Sequence, residues 1–475
     1  MKKISEIVFK YPIHTIIAYL LMHFLVRIYL SDTIQVDDRE QILYGQTLNL
    51  GYPMPQPPLY SWIVWLFFKI LGTSLFTVSI VKYLLLAFTY IVIWSICKKI
   101  FQTNKVKVLG LFSFLLLPSF FWHIHEGFTH TVILGLAILM TTNSYFNIQI
   151  DSSIKNYSFL GLSIGIGLLS KYSFLIFLLL FLLATLSRKD FRDVLFKRGI
   201  FITFIIASLI ALPHYYWLAE NFNSISNQAM ERVSIGYANN IGSLRNLQLP
   251  LSYLGFLTPL IFIITPFLIR KKNKTDNIVD PYLIFFRSFF LILFALSVFF
   301  SFSFEIEQVK VRWLHPLLLL APLWLVSEYQ QKHQENNKFI RNVVFFTIFL
   351  SLIVIGSRVV KMTIGPELGF YGRINIPISQ TLKKIPHNIL EGSTIKILDY
   401  SIFAHSFEAF PNNTLQFIGK KFNDKKDKTQ KCLILDISPI ESLAKPALTG
   451  SFVTFRGKFK YEIFYSLEQS SSCKF

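Results

Sequence analysis

The stretch VDDREQILYGQTLNLGYPMPQPPLYSW, residues 36–62, differs sharply in composition from the segments on either side of it. It carries acids, amides and several prolines, whereas its flanks are rich in Leu, Ile and Phe. In a membrane protein, long apolar runs cross the lipid and polar runs stand in water. The stretch therefore predicts a loop that emerges between two transmembrane segments.

The composition of the whole chain agrees with this interpretation. Of its 475 residues, 53% are hydrophobic and 16% are charged, whereas a soluble domain carries about 25% charged residues. Apolar runs recur along the first three quarters of the chain and predict a polytopic α-helical membrane protein. The eleven predicted spans are 11–30, 73–97, 106–121, 128–147, 157–169, 172–187, 199–218, 251–269, 282–303, 313–327 and 340–360. The fifth and sixth are short and could instead be broken or re-entrant segments.

Basic residues indicate the orientation. Lys and Arg collect at the N-terminus and in alternate loops, at residues 98–107, 188–198, 270–274 and 332–341. Because loops rich in Lys and Arg stay in the cytoplasm, the pattern predicts a multi-pass protein of the bacterial inner membrane, with a cytoplasmic N-terminus and a periplasmic C-terminus. The first apolar segment lacks a cleavage pattern and is predicted to be a retained anchor.

The net charge of +20 is explained by these loops, and the sequence carries no nucleic-acid signature. The expected partners are instead membrane lipids and substrates that a membrane enzyme would meet.

Beyond the last span the pattern changes to short apolar runs separated by Gly, Pro, Asn and Lys. We predict a transmembrane domain over residues 1–360, with a first outer loop at 31–72, and a small extracytoplasmic α/β or α+β domain over residues 361–475. TIKILDY, TLQFIG, KCLILDI, SFVTF and YEIFYSL are typical of strands, and ISQTLKKI of a helix. Cys432 and Cys473 fall in this domain, where a disulfide is feasible, although two unpaired thiols are favoured because Cys473 lies near the end of the chain.

Asp37, Asp38 and Glu40 place several carboxylates just after the first span. For any one of them a solvated loop residue is the plainer explanation. The context argues for more, because the loop continues through Gly51-Tyr52 and a Pro-Pro-Leu into an amphipathic segment that starts near Trp62. Such a segment is expected to lie along the membrane surface as a helix.

These residues resemble the first periplasmic loop of the GT-C glycosyltransferases. The similar branch contains bacterial relatives of the protein O-mannosyltransferases, including aminoarabinose lipid A transferases and galacturonosyltransferases of lipid A and core. Its members more commonly have Asp-Glu-Ala-Glu-Gln where this chain has DDREQ, so Asp38 preserves a carboxylate and Arg39 is a departure of unexplained role. Weaker similarities follow in order at FTHTVI, LLSKYSFLIF, LPHYYWLAEN and VRWLHPLLLLAPLW.

The resemblance implies a reaction and its substrates. A sugar is transferred from a polyprenyl-phosphate carrier, such as undecaprenyl phosphate, to an acceptor hydroxyl at the periplasmic face, with inversion. Asp37 matches the catalytic aspartate, which would act as a general base. Asp38 or Glu40 would hold the acceptor or a metal, and Tyr52 would contact substrate.

Cations near the leaving phosphate would lower the barrier. Lys171 is the leading candidate because it stands in an apolar neighbourhood, and Arg312 and Arg245 follow. For Lys171 and Arg312 the alternative is that the side chains extend to lipid headgroups.

WHIHEGFTHT gathers His123, His125, Glu126 and His130 at the outer end of two spans. A zinc-protease helix needs His at i and i+4, and the five-residue separation of His125 and His130 turns a helix by about 500°. In a loop, Asp38, His125, Glu126 and His130 could still hold a divalent metal. The favoured interpretation is instead that His130 touches substrate and that His123 and His125 are interface residues.

The function predicted from these features is glycosyl transfer to lipid A, lipopolysaccharide core or another envelope glycolipid, with protein O-glycosylation as the alternative. A lipid-linked sugar transporter or flippase is a different class, but transporters usually show intramembrane charges and related halves. An acyl- or phosphate-transferring enzyme would lack the Gly-Tyr and Pro-Pro-Leu context.

Overall fold

The structure is a computed structural model that describes residues 2–234, 248–269, 279–303, 310–332, 336–365, 367–368, 373–376, 378–417, 420–422, 431–436, 447–454 and 457–469. Within these residues the α-helices are α1 Lys2–Lys10, α2 Pro12–Leu30, α3 Val36–Tyr44, α4 Leu59–Leu71, α5 Leu75–Ile100, α6 Asn104–Ser113, α7 Ile124–Glu126, α8 Thr129–Ile150, α9 Ile154–Leu168, α10 Phe174–Leu186, α11 Lys189–Arg192, α12 Gly199–Glu220, α13 Phe222–Ser234, α14 Gln248–Leu257, α15 Leu260–Ile269, α16 Pro281–Ser303, α17 His315–Leu318, α18 Ala321–Lys332, α19 Asn337–Met362, α20 Ile378–Leu382, α21 His387–Leu390 and α22 Tyr400–Ala409. The 3₁₀ turns are Phe114–Leu116, Asp193–Phe196, Val311–Trp313 and Arg373–Asn375, and Ser119–His123 is a π-helix.

The apolar helices confirm a multi-pass membrane protein but not the predicted count of eleven spans. Among the described residues, six helices are long and apolar enough to cross a membrane, or seven if one bent pair forms a single span. These six are Pro12–Leu30, Leu75–Ile100, Thr129–Ile150, Gly199–Glu220, Pro281–Phe302 and Asn337–Met362.

The other predicted spans are short or interrupted. The bent pair, Asn104–Leu116 and Ser119–Glu126, changes direction by 72° beside Pro118, where the chain loses a backbone donor. Pro259 likewise separates α14 from α15. The short fifth and sixth segments are helices of 15 and 13 residues.

The C-terminal strands form one mixed sheet. Its strands are β1 Ser393–Ile397, β2 Thr414–Phe417, β3 Lys420–Phe422, β4 Lys431–Asp436, β5 Ala447–Thr454 and β6 Gly457–Gln469, in the order β3-β2-β1-β4-β6-β5. β1 pairs in parallel with β2 and β4, and the outer pairs are antiparallel. Helix α22 connects β1 to β2, as a parallel pair requires. The predicted C-terminal sheet is therefore confirmed.

One expectation about this sheet is wrong. Cys432, on β4, is disulfide-bonded, whereas the sequence favours unpaired thiols. Cys97 is a free, buried thiol, and Cys473 lies outside the described residues.

The chain divides into two compact units. The first contains Met1–Leu20, Asn49–Tyr60 and Lys82–Ile353, and the second contains Leu21–Leu48, Ser61–Val81 and Val354–Phe475. Aromatic rings fill the first unit's core, where Phe146 and Phe181 both pack against Phe285. In the second unit Phe403 of α22 stacks on Phe417 of β2 with ring centroids 4.6 Å apart. The domain boundary predicted at residue 360 stays a prediction.

Candidate functional site

The predicted acids lie on α3, in the second unit. Asp37 and Asp38 occupy its first turn, where the partial positive charge of a helix N-terminus stabilises carboxylates. Asp38 is buried, whereas Asp37 and Glu40 are half-buried. The fold therefore gives the two adjacent aspartates different access to solvent.

Arg27, near the end of α2, explains how Asp38 is buried. Its guanidinium lies 3.7 Å from the Asp38 carboxylate, and both side chains are almost fully enclosed. The same guanidinium donates to the carbonyls of Ser31 and Thr33, at 3.2 and 2.7 Å. Because a buried charge is costly unless it is paired, Arg27 balances Asp38 and shapes the turn that leads into α3.

Arg39, which the sequence left unexplained, is part of a hydrogen-bonded connection. Its Nε donates to the carbonyl of Ile34 at 2.8 Å, and its Nη1 donates to the Ser401 hydroxyl on α22 at 2.5 Å. The Ile34 N–H donates to His405 Nε2 at 2.9 Å. Arg39 thus joins the beginning of α3 to the C-terminal helix α22.

The second half of the opening stretch belongs to the first unit, and its glycine is explained by packing. A Cβ on Gly51 would lie 2.0 Å from the Trp217 ring, so the motif Gly-Tyr places backbone directly against indole. His214 Nδ1 donates to the Leu50 carbonyl at 2.8 Å, and Nε2 therefore accepts from the Tyr172 hydroxyl at 3.3 Å. These contacts tie residues 50–51 to α12 and to the residue after Lys171.

Lys171 is buried in the first unit, at 7% exposure. Its Nζ donates to Thr131 Oγ1 at 3.1 Å. Leu59, which follows Pro57-Pro58, donates its N–H to the Leu169 carbonyl two residues before Lys171, at 3.2 Å. The Pro-Pro-Leu motif is therefore anchored on the segment that carries the predicted phosphate-binding lysine.

His130 and Tyr52 are also buried in this unit. The His130 ring lies 5.7 Å from the Tyr60 ring. The Tyr52 hydroxyl accepts the Asn49 N–H at 3.4 Å, and burial raises the pKa of Tyr52. Tyr52 is thus held by the backbone of Asn49, just before Gly51, and His130 lies against Tyr60 at the start of α4.

The predicted metal ligands do not assemble. Among the described residues no three His, Cys, Asp or Glu side chains come together as a metal site. His125 instead contacts two tyrosine hydroxyls, Tyr19 at 2.7 Å from Nε2 and Tyr83 at 3.3 Å from Nδ1. His125 lies on α7 and His130 on α8, and Phe128 between them takes a left-handed conformation with φ 66°.

Arg312 and Arg245 are the two remaining residues predicted to bind the donor phosphate. Arg312 is half-buried in the 3₁₀ turn Val311–Trp313. Arg245 lies outside the described residues. The structure thus gathers the acids Asp37, Asp38 and Glu40 on one helix of one unit, and Lys171, His130 and Tyr52 within the other.

Sequence reasoning missed three buried polar residues. Arg27 and Lys82 lie in apolar spans, and a charged residue in such a span is a signal for function or pairing. His405 gave no such signal, because its contact with Ile34 joins positions 371 residues apart.

The sequence is similar to those of known glycosyltransferases. Residues 55–217 match the dolichyl-phosphate-mannose-protein mannosyltransferase family. The lipopolysaccharide core galacturonosyltransferase RgtB of Rhizobium johnstonii is 26% identical over 394 residues, which cover 80% of this chain and 78% of RgtB. RgtA, a second such enzyme of that organism, is 26% identical over 379 residues, covering 76% and 73% of the two chains.

The fold has a solved counterpart over nearly its full length. ArnT from Cupriavidus metallidurans, bound to undecaprenyl phosphate, superposes with a TM-score of 0.58 at 12% identity, covering 95% of this chain and 98% of ArnT. The apo form of that protein gives a TM-score of 0.57. The chain thus shares the fold of ArnT, and its sequence relatives indicate a multi-pass membrane glycosyltransferase.

Proposed function

We propose that this enzyme transfers a sugar, with inversion, from a polyprenyl-phosphate carrier to a hydroxyl of lipopolysaccharide at the periplasmic face of the inner membrane. The observation that carries the proposal is the acid pair of α3, in which Asp38 is buried against Arg27 and Asp37 remains half-buried. A base must reach its substrate, and a fixed neighbouring charge can hold it in place.

In this scheme Asp37 removes the proton from the acceptor hydroxyl. The acceptor oxygen bonds to the anomeric carbon on the face opposite the phosphate, the bond from that carbon to the phosphate oxygen breaks, and the polyprenyl phosphate leaves with the electron pair. Asp38 is paired with Arg27 and serves to orient the turn rather than to take the proton.

Lys171 is the group that we assign to the leaving phosphate. Its ammonium is buried and donates to the Thr131 hydroxyl, and a cation held in this way in a buried position favours the binding of an anion. A cation in a dry environment stabilises the charge that develops on the phosphate more strongly than it would in water.

The relatives support lipopolysaccharide as the acceptor, because the two that align with three quarters or more of this chain are named for its core. They also make galacturonic acid the first donor sugar to test. The mannosyltransferase family match spans a shorter part of the chain and keeps protein O-glycosylation as the alternative.

The first experiment compares wild type, Asp37→Asn and Asp32→Asn in lipid nanodiscs. The donor is undecaprenyl-phosphate-linked galacturonic acid, the acceptors are lipid A with core sugars and a mixture of envelope proteins, and mass spectrometry identifies the product. We expect wild type and the Asp32→Asn control to modify the glycolipid. Asp37→Asn should lose about 10²- to 10⁴-fold in kcat, the range for removal of a general base.

Equal turnover by Asp37→Asn and wild type would remove the assignment of the base. Sugar found on protein alone would replace the glycolipid acceptor by the alternative. Mass spectrometry of envelope lipids from a deletion strain would name the natural sugar by the one that disappears.

A further inference from the structure

Helix α22 carries a histidine that is fully buried and hydrogen-bonded on both sides. His405 Nδ1 lies 2.6 Å from the Ser401 carbonyl, one turn earlier on the same helix. Since a carbonyl only accepts, Nδ1 carries the proton and Nε2 is the acceptor. Nε2 then takes the N–H of Ile34 at 2.9 Å. The tautomer of His405 is therefore set by its own helix, and its second nitrogen holds the chain just ahead of α3.

Ile34 is held at its other backbone group as well. Its carbonyl accepts from Arg39 Nε, and Arg39 Nη1 donates to the Ser401 hydroxyl. The four residues Ile34, Arg39, Ser401 and His405 thus form a closed set of hydrogen bonds, which we call the loop clamp. Asp37 lies between Ile34 and Arg39 in the chain, so the loop clamp encloses the turn that presents it.

Helix α22, which carries Ser401 and His405, is capped at its N-terminus. Asp399 caps α22 by accepting from the N–H groups of Ser401 and Ile402, at 2.7 and 3.1 Å. Two residues of the preceding loop make parallel connections, since the hydroxyls of Ser31 and Thr33 donate to the carbonyls of Ile374 and Ile376, at 2.8 and 2.7 Å. The C-terminal segment therefore fixes the approach to α3 at several points.

We propose that His405 and Arg39 are positioning residues for Asp37, through which the C-terminal domain sets the geometry of proton removal. This inference rests on the proposed function in so far as Asp37 is the base. Transfer requires the base within hydrogen-bonding reach of the acceptor hydroxyl, and a displacement of about 1 Å by a distant change lowers rates by about a hundredfold.

The chemistry of His405 suggests two variants that separate its hydrogen bonds. His405→Asn has an amide that can replace the Nδ1 donor but is too short to accept from Ile34. His405→Gln has a longer amide whose oxygen can replace Nε2 as the acceptor. His387→Asn is the matched control, because His387 is an exposed histidine of the same C-terminal segment.

The experiment measures kcat, donor KM and melting temperature of the purified, folded proteins in nanodiscs. We expect His405→Asn and Arg39→Ala to lower kcat by about ten- to a hundredfold with donor KM within twofold of wild type. His405→Gln should recover most of the rate, and His387→Asn should match wild type. A residue that merely stabilised the domain would lower the melting temperature without selective rescue by Gln.

Hydrogen–deuterium exchange tests the loop clamp independently of transfer. His405→Asn should speed exchange in residues 31–44, whereas His405→Gln and His387→Asn should not. The proposal would be overturned if His405→Asn left hydrogen–deuterium exchange in residues 31–44 unchanged. It would also be overturned if wild type were active and all variants had the same kcat as wild type. Inactive wild type with the expected exchange pattern would instead reject the proposed substrates and leave the loop clamp supported.

Discussion

Asp37 and Asp38 are neighbours in the chain, yet the fold treats them differently. Asp38 turns into the unit against Arg27, while Asp37 keeps partial access to solvent. The sequence could identify the acid pair by its context, but not which member is buried. That distinction depends on Arg27, which lies in the preceding apolar helix and is brought next to Asp38 only when the chain folds.

Lys171 offers a prediction at this scale. Lys171→Met keeps the length of the side chain and removes its charge, so we expect donor KM to rise or kcat to fall at least tenfold, because the leaving phosphate loses a cation. Lys155→Met, at an exposed position on α9, is the control and should behave as wild type. Steady-state kinetics at varied concentrations of the lipid-linked donor measure both constants. Unchanged kinetics in Lys171→Met would return this lysine to a purely structural role.

Gly51 allows a test of the packing. Gly51→Ala brings a methyl group to 2.0 Å from the Trp217 ring, and overpacking of this kind costs about 1–3 kcal/mol. We expect a lower melting temperature in nanodiscs. Gly356→Ala on α19 meets nothing within 4 Å and should be neutral or slightly stabilising.

A double variant tests whether the effect of Gly51→Ala comes from its contact with Trp217. In the double variant Gly51→Ala with Trp217→Leu, the destabilisation should be smaller than the sum of the two single effects, because the steric conflict is removed. Strict additivity would contradict the contact between Gly51 and the indole.

At the scale of elements, periodicity and composition located most of what folds regularly. Each of the five stretches predicted as strands contains strand residues, and ISQTLKKI contains α20. The three-residue β3 and the helix α22 were not predicted, because one is too short for a pattern and the other follows directly from a strand-like run. The predicted count of eleven spans is not confirmed, because prolines and short helices interrupt several of the apolar runs among the described residues, and hydropathy does not register backbone breaks.

The element α22 predicts a pH dependence through His405. Burial lowers the pKa of His405 from 6.5 to about 4, and the nearby Arg39 and Arg27 act in the same direction. Other charged groups on or near this helix are Asp399, which caps it, Asp38, which pairs with Arg27, and Glu408, which accepts from the Leu75 N–H.

Because the folded pKa lies below the unfolded value, the neutral ring contributes stability that is complete above pH 6.5 and is lost as the pH falls through about 4. The loss corresponds to about 3 kcal/mol. We expect the melting temperature of wild type to fall over this interval and that of His405→Gln to fall less. Parallel curves for the two proteins would show that another group is responsible.

At the scale of the whole molecule, the distribution of charge suggests how the chain is inserted. Basic residues collect in alternate loops, and the C-terminal sheet contains a disulfide-bonded Cys432. Disulfides persist in oxidising compartments, so both features favour a periplasmic C-terminal domain. Neither the number of spans nor the division into two units could be derived from hydropathy alone.

Reporter fusions test this orientation. Alkaline phosphatase joined after residue 475 should be active, and a green fluorescent protein at the same place should be dark. Fusions after residue 100, at the end of α5, should give the opposite result and serve as the internal control. The reversed pattern at both positions would invert the proposed topology.

The loop clamp has a consequence for how such enzymes can diverge. Residues 31–39 and residues 374–405 are far apart in the chain but share hydrogen bonds through backbone groups and five side chains. A recombination event that exchanged only the C-terminal domain between relatives would break the hydrogen bonds that hold the loop before the acids. The first loop and helix α22 are therefore expected to evolve together, and chimeras should retain activity when both segments are exchanged at once.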